Sequence, residues 1–153
     1  MDIFRDARDA RTFMAILADV VERKHWRCLA YCLMRNHFHL LLETPEANLA
    51  AGMQRLNGDY ARYFNDRRGR WGHVFGARYG STRVTSDEQF WWVVRYIANN
   101  PVKAGLCREA KDWDWSSSGA VASGKPPPWL QPDRLIELGV RANFAPDGVR
   151  PLV

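Results

Sequence analysis

Cysteines, membrane-length apolar runs and internal repeats are scarce or missing in this chain of 153 residues. Cys28, Cys32 and Cys107 are odd in number and lack CxxC spacing, which argues against a disulfide framework or a zinc cage and leaves buried thiols as the reading. No apolar stretch approaches the roughly 20 residues of a membrane span, and no basic segment followed by an apolar one opens the chain. No membrane partner is expected, and a cytoplasmic location is the default. Pro126-Pro127-Pro128 is too short a run to be a recognition module.

What the chain does have is basic charge interleaved with rings. The formal net charge is +5, and Arg55, Arg62, Arg67, Arg68, Arg70 and Arg78 alternate with Tyr60, Tyr63, Phe64, Trp71, Phe75 and Tyr79. Cations for phosphates beside rings for unpaired bases suit single-stranded nucleic acid, so these six arginines are the candidate DNA contacts. A packed core with a solvated arginine face would give the same composition.

Periodicity predicts a helix capped by Asp6 or Asp9 and running to Lys24, with Phe13, Ile16, Leu17, Val20 and Val21 as its apolar stripe. Trp26 to Met34 and His37 to Glu43 read as the strands of a hairpin turning at Arg35-Asn36. A second helix spans Ala47 to Asn65, followed by a basic loop over Arg67 to Gly76 and a strand over Arg78 to Thr85. Ser86 or Asp87 caps a third helix ending near Asn99-Asn100, ahead of Pro101. From Ser116 the composition changes to serine, glycine and proline, so residues 1–120 read as one domain and 121–153 as a linker and C-terminal appendage.

His37-Phe38-His39 is the sharpest chemical feature. On a strand, residues two apart share a face, so both imidazoles would be offered to one divalent ion. Glu43 on the same face would lie about 13 Å from His39, too far for a common shell, so further donors must come from elsewhere. Two nitrogens, oxygen donors and open positions suit an ion that polarises a phosphoryl oxygen: Mg²⁺ or Mn²⁺ is expected, with Zn²⁺ an alternative. On the third helix Phe90, Val93, Val94 and Ile97 form the expected buried stripe, with Tyr96 and Asn100, at i and i+4, along its border. Tyr96 there is the candidate nucleophile, and Asn100 a donor to metal or substrate. A ring packed on the core and an asparagine closing the helix are the plain alternative.

The runs Tyr31-Cys-Leu-Met-Arg-Asn-His-Phe-His-Leu-Leu-Leu-Glu43, Met53-Gln-Arg-Leu-Asn-Gly-Asp-Tyr-Ala-Arg-Tyr-Phe-Asn65 and Tyr96-Ile-Ala-Asn-Asn-Pro-Val-Lys-Ala-Gly105, together with Trp115-Ser-Ser-Ser118, resemble the REP-associated tyrosine transposases of the IS200-like, single-tyrosine HUH group. The resemblance covers roughly residues 2 to 120. It implies an α+β, ferredoxin-like antiparallel sheet with helices packed on one face, His37 and His39 as metal ligands, Tyr96 as nucleophile and Asn100 as the polar residue one turn on.

By the same resemblance the substrate is single-stranded or hairpin DNA at REP-like palindromes, cut through a 5′-phosphotyrosine intermediate. A free phenol ionises near pH 10, so its deprotonation needs help, and the sequence names no base for it. The chain departs from the family pattern in two places. The strand that ordinarily precedes the first helix is not expected in this sequence, and Arg35 stands where a proline is usual. A lost strand would expose a sheet edge, from which homodimerisation is an expectation. The alternative function is a hairpin-DNA-binding protein that no longer cuts.

Overall fold

The computed structural model describes residues 1–141. Its elements in chain order are α1 (Ala7–Lys24), β1 (Arg27–Leu33), β2 (Phe38–Glu43), α2 (Leu49–Arg68), α3 (Asp87–Lys103), a 3₁₀ turn (Ala110–Asp112), α4 (Ser117–Ala122) and α5 (Pro132–Arg141). The architecture is α+β with an antiparallel sheet, as expected, and among the described residues that sheet has two strands. The chain forms two compact units: residues 1–26, 35–37 and 44–82, and residues 27–34, 38–43 and from 83 onward.

The first unit is built on α1 and α2. Asp6 caps α1 by accepting from the amides of Arg8 and Asp9, both at 3.0 Å. Phe13, Leu17 and Val20 of α1 are buried, as are Leu56, Tyr60 and Phe64 of α2. Phe13 meets Phe4 and Tyr60 edge-on, with centroids 5.2 Å apart in each pair. Where α2 begins, the Asn48 side chain serves the tertiary structure rather than the helix. It accepts from the Trp26 indole at 2.8 Å and donates to the Lys24 carbonyl at 3.0 Å. A Cβ on Gly52 would lie 2.1 Å from that indole, so only glycine fits there.

In the second unit β1 pairs antiparallel with β2, with Leu33 opposite Phe38, Cys32 opposite His39 and Arg27 opposite Glu43; a bulge falls between Cys28 and Ala30. Six of the seven β1 residues are buried. Leu29, Ala30, Cys32, Met34 and Leu41 of the hairpin form one core with Trp91, Val94 and Ile97 of α3 and Leu135 of α5. Burial pushes the Cys28 and Cys32 thiols up to about 12, as expected of thiols that pack rather than react.

The structure corrects three expectations of local structure. Arg78 to Thr85 forms no strand; Arg78, Gly80, Ser81, Thr82, Arg83 and Thr85 are exposed, and the segment has too few apolar side chains to bury one face. Helix α3 continues through Pro101 to Lys103, because a proline in the last turn forfeits only one intrahelical bond. Ser116 to Ser118, read as the start of a linker, are buried against β1. Ser117 Oγ accepts from the Tyr31 amide at 3.1 Å and donates to the Tyr31 carbonyl at 3.2 Å. The Trp115 carbonyl accepts from the Leu33 amide at 2.8 Å, and the Gln131 amide donates to the Cys28 carbonyl at 2.9 Å. Of the segment 121–153, Leu130 and Leu135 are buried and Arg134 forms a two-pronged pair with Glu43 at 2.8 and 3.1 Å; residues beyond 141 lie outside the described part.

Ser117→Ala leaves both polar groups of Tyr31 without that hydroxyl in a buried place. It is expected to lower the unfolding free energy by about 1–3 kcal/mol, read from the shift of the urea midpoint at constant m-value. A shift near zero would show that these bonds do not hold the β1 edge.

Candidate functional site

Helix α3 presents the candidate nucleophile. Ser86 caps it, its Oγ accepting from the Gln89 amide at 3.1 Å, and Asp87 and Glu88 complement the helix dipole in the first turn. The buried side is Trp91, Val94, Ile97, Ala98 and Pro101. The core stripe is thus centred further toward Trp91 than the spacing predicted, with Phe90 and Val93 only half-buried. Tyr96 lies at its border, half-buried, and Asn100 one turn on has its carbonyl bonded by the Ala104 amide at 3.0 Å.

On β2, Leu41 enters the core shared with α3, and His39, two residues earlier on the same face, reaches the Tyr96 ring. The two rings meet edge-on, with centroids 5.3 Å apart and planes at 81°. His37 lies before the first residue of β2, so strand alternation does not set its direction. It is exposed, its Nδ1 stands 2.7 Å from Asn36 Oδ1, and partial desolvation lowers its pKa.

Two neighbours of Tyr96 were missed at the level of sequence. Trp92 stacks on it at 5.1 Å and 13°, and Lys103 Nζ stands 5.6 Å from its ring centre. Their spacings of i−4 and i+7 were the available signal.

Tyr31, Tyr60 and Tyr63 are less available. Tyr60 is fully buried and donates to the Ile3 carbonyl, Tyr31 is buried, and burial pushes both phenols well above their ordinary range. The hydroxyl of Tyr63 donates to Asp9 at 3.2 Å.

The donor chemistry fits a divalent ion in kind. Two imidazoles and an amide oxygen suit Mg²⁺ or Mn²⁺ with open positions, and the lowered pKa of His37 favours the neutral form that ligates. Among the described residues no group of three or more His, Cys, Asp or Glu is arranged to hold an ion, so substrate oxygens and water would complete such a shell. Glu43, excluded on spacing, has its carboxylate taken by Arg134 and held below its ordinary range by that guanidinium.

The arginines sort into two groups. Arg55 pairs with Asp19 at 3.2 Å and Asp59 at 3.7 Å, and Arg62 with Asp59 at 4.0 Å. Arg67 and Arg68 both bond Asp6 and the fully buried Asp9. Arg70 lies over the Phe64 ring at 5.9 Å. Arg78 is exposed, and among the described residues no carboxylate pairs with it. Tyr60 and Phe64 are core residues rather than base platforms, whereas Trp71 is 94% exposed.

Residues 2–100 match the family model for IS200-like transposases. The chain belongs to that family. A curated relative, named as a REP-associated tyrosine transposase of Haemophilus influenzae strain Rd, is 27% identical to this chain over 116 residues. The match covers 69% of this chain and 66% of the relative, so just under two thirds of that protein's length is represented. A solved structure of a REP-associated tyrosine transposase bound to a REP hairpin superposes with a TM-score of 0.63 at 17% identity, over 82% of this chain and 74% of that one. At that identity the likeness establishes the fold. No described helix of the chain is long and apolar enough to cross a membrane.

The paired carboxylates of α1 generate a stability prediction. Arg67 bonding holds Asp6 well below its ordinary 3.8; at Asp9 burial would raise the carboxyl, but bonds from the Arg5 amide, Arg68 and Arg67 outweigh it. The unfolded chain takes up these protons near pH 4 and the folded chain only lower. The stability is therefore complete above the unfolded value and is lost as pH falls through it toward the depressed folded values. Denaturation midpoints should fall below about pH 5, and Asp9→Asn should flatten that fall. Arg67→Ala and Arg68→Ala should each lower the urea midpoint at pH 7, whereas Arg62→Ala should leave it nearly unchanged. Equal shifts at all three positions would refute the network.

Proposed function

We propose that this chain is a transposase-type single-strand DNA endonuclease that acts beside palindromic hairpins, with Tyr96 as its nucleophile. The observation that carries the proposal is the contact between His39 and Tyr96, which puts a metal-binding type of side chain against the only tyrosine with helical placement beside the Asn-Pro turn. The family membership and the hairpin complex of the structural relative support the same substrate.

In the proposed reaction the Tyr96 oxygen attacks the scissile phosphorus in line. The bond to the 3′ oxygen breaks as the tyrosyl–phosphorus bond forms; the phenol proton is given up and the departing 3′ oxygen is protonated. The products are a 5′-phosphotyrosine and a free 3′-hydroxyl, and reversal joins strands without a high-energy cofactor. His37, His39 and Asn100 would hold Mg²⁺ or Mn²⁺, which when bound supplies charge neutralisation at the phosphate. Edge-on packing by His39 and stacking by Trp92 restrict the Tyr96 ring, so the nucleophile is oriented before substrate arrives. Arg78, exposed and without a carboxylate partner among the described residues, is the arginine of α2 and its following loop best placed to meet phosphate. A cytoplasmic location is part of this proposal.

The test incubates the full chain with Mg²⁺ or Mn²⁺ and labelled single-stranded DNA carrying a palindromic hairpin, then resolves covalent adducts on a denaturing gel. An adduct is expected that disappears with chelator and in Tyr96→Phe, and that falls about 100-fold in His39→Ala. Hairpin binding without any adduct would replace this reading with that of a DNA-binding protein that does not cut.

A further inference from the structure

Helix α3 carries two consecutive tryptophans with opposite fates. Trp91 is 4% exposed and belongs to the core, whereas Trp92 is 57% exposed. The Trp92 indole is nearly parallel to the Tyr96 ring, at 13° and 5.1 Å, and so extends an aromatic stack outward from the candidate nucleophile. The same solvent-facing stripe carries Arg95 at i+3 from Trp92 and Lys103 over the Tyr96 ring. Among the described residues neither cation is paired with a carboxylate, in contrast to Arg55, Arg62, Arg67 and Arg68. An exposed indole stacked on a tyrosine, with unneutralised cations on the same stripe, is a poor arrangement for a protein surface facing only water, and a good one for an unpaired base and its phosphates.

We propose that Trp92 is the stacking platform for an unpaired nucleobase next to the phosphate attacked by Tyr96. With one indole face against Tyr96, a base on the other face continues the stack, and Arg95, one turn on along the same stripe, is the cation for its backbone. Trp92 is thereby a residue that sets the position of the single strand relative to the nucleophile. Stacking tolerates any base, so it fixes register along the strand rather than sequence. The proposal rests on the reading of this chain as acting on single-stranded DNA beside a hairpin.

The test measures fluorescence anisotropy of the full chain with a labelled hairpin bearing a single-stranded flank, in which an abasic site is moved along the flank one position at a time. In the wild type one position should weaken binding about ten-fold. Trp92→Ala should weaken binding of the intact DNA by a similar factor and remove the response at that position alone, leaving the rest of the profile unchanged. Trp92→Phe, which keeps a smaller ring, should recover part of both effects, and circular dichroism should show all variants folded.

A Trp92→Ala profile that keeps the same sensitive position, or a uniform loss across the flank, overturns the proposal and leaves Trp92 as packing for Tyr96. Should Trp92→Ala fail to fold, the wild-type scan and Trp92→Phe decide, and a flat wild-type profile overturns it. Failure of the wild type to bind the hairpin DNA at all overturns the endonuclease reading and this one together. Intact binding and adduct formation with a flat profile overturns this one alone.

Discussion

A strand with two edges and two faces inside protein must have every backbone group met by protein, and β1 imposes that demand on everything around it. Six of its seven residues are buried, and β2 supplies partners along one edge only. A two-stranded ribbon is marginal by itself in water. The other edge is met in pieces: the Trp115 carbonyl, the Ser117 hydroxyl and the Gln131 amide each take one or two groups of β1, and the Trp113 indole donates to the Leu33 carbonyl at 2.8 Å. Chain that is rich in serine, glycine and proline is therefore part of the sheet's support. The same edge is the reason Ser116 to Ser118 are buried while their composition is that of a linker.

Charge in the first unit follows a similar logic. A carboxylate as buried as Asp9 is stable only with donors around it, and the Arg5 amide, Tyr63, Arg67 and Arg68 provide them. The arginine-rich end of α2 is thereby turned inward onto α1. Basic composition and positive surface are different properties: an arginine bonded to two carboxylates contributes little field to solvent. The cations left unneutralised among the described residues include Arg78 and, on α3, Arg95 and Lys103, the last of which stands over the Tyr96 ring.

Much of the candidate site was legible from spacing. Period-two alternation put His37, His39 and Glu43 on one face, and period 3.6 on α3 put Tyr96 and Asn100 at the border of the buried stripe; in the structure His39 meets Tyr96, while His37 precedes β2 and is not governed by its alternation. What spacing could not supply was the rotation of α3. Trp91 and Trp92 are equivalent in composition, and which of them enters the core depends on Leu135 and on Gly139 of α5, where a Cβ would lie 2.5 Å from the Trp91 indole. The strand expected over Arg78 to Thr85 failed for a related reason. A β-like stretch becomes a strand only when a partner edge and a buried face are available to it.

The sequence by itself determined α1, α2, most of α3 and the hairpin, because apolar periodicity, caps and breakers act over a few neighbouring residues. It also determined the family, through motifs that keep their order along the chain. The tertiary structure alone decided which arginines are neutralised, which tryptophan is exposed, and that Ser117 and Gln131 complete an edge of β1. Those outcomes depend on groups distant in sequence, Ser117 lying 86 residues from Tyr31 and Arg67 lying 58 from Asp9. A buried polar group must be satisfied by whatever the fold brings to it, and no local pattern encodes that partner.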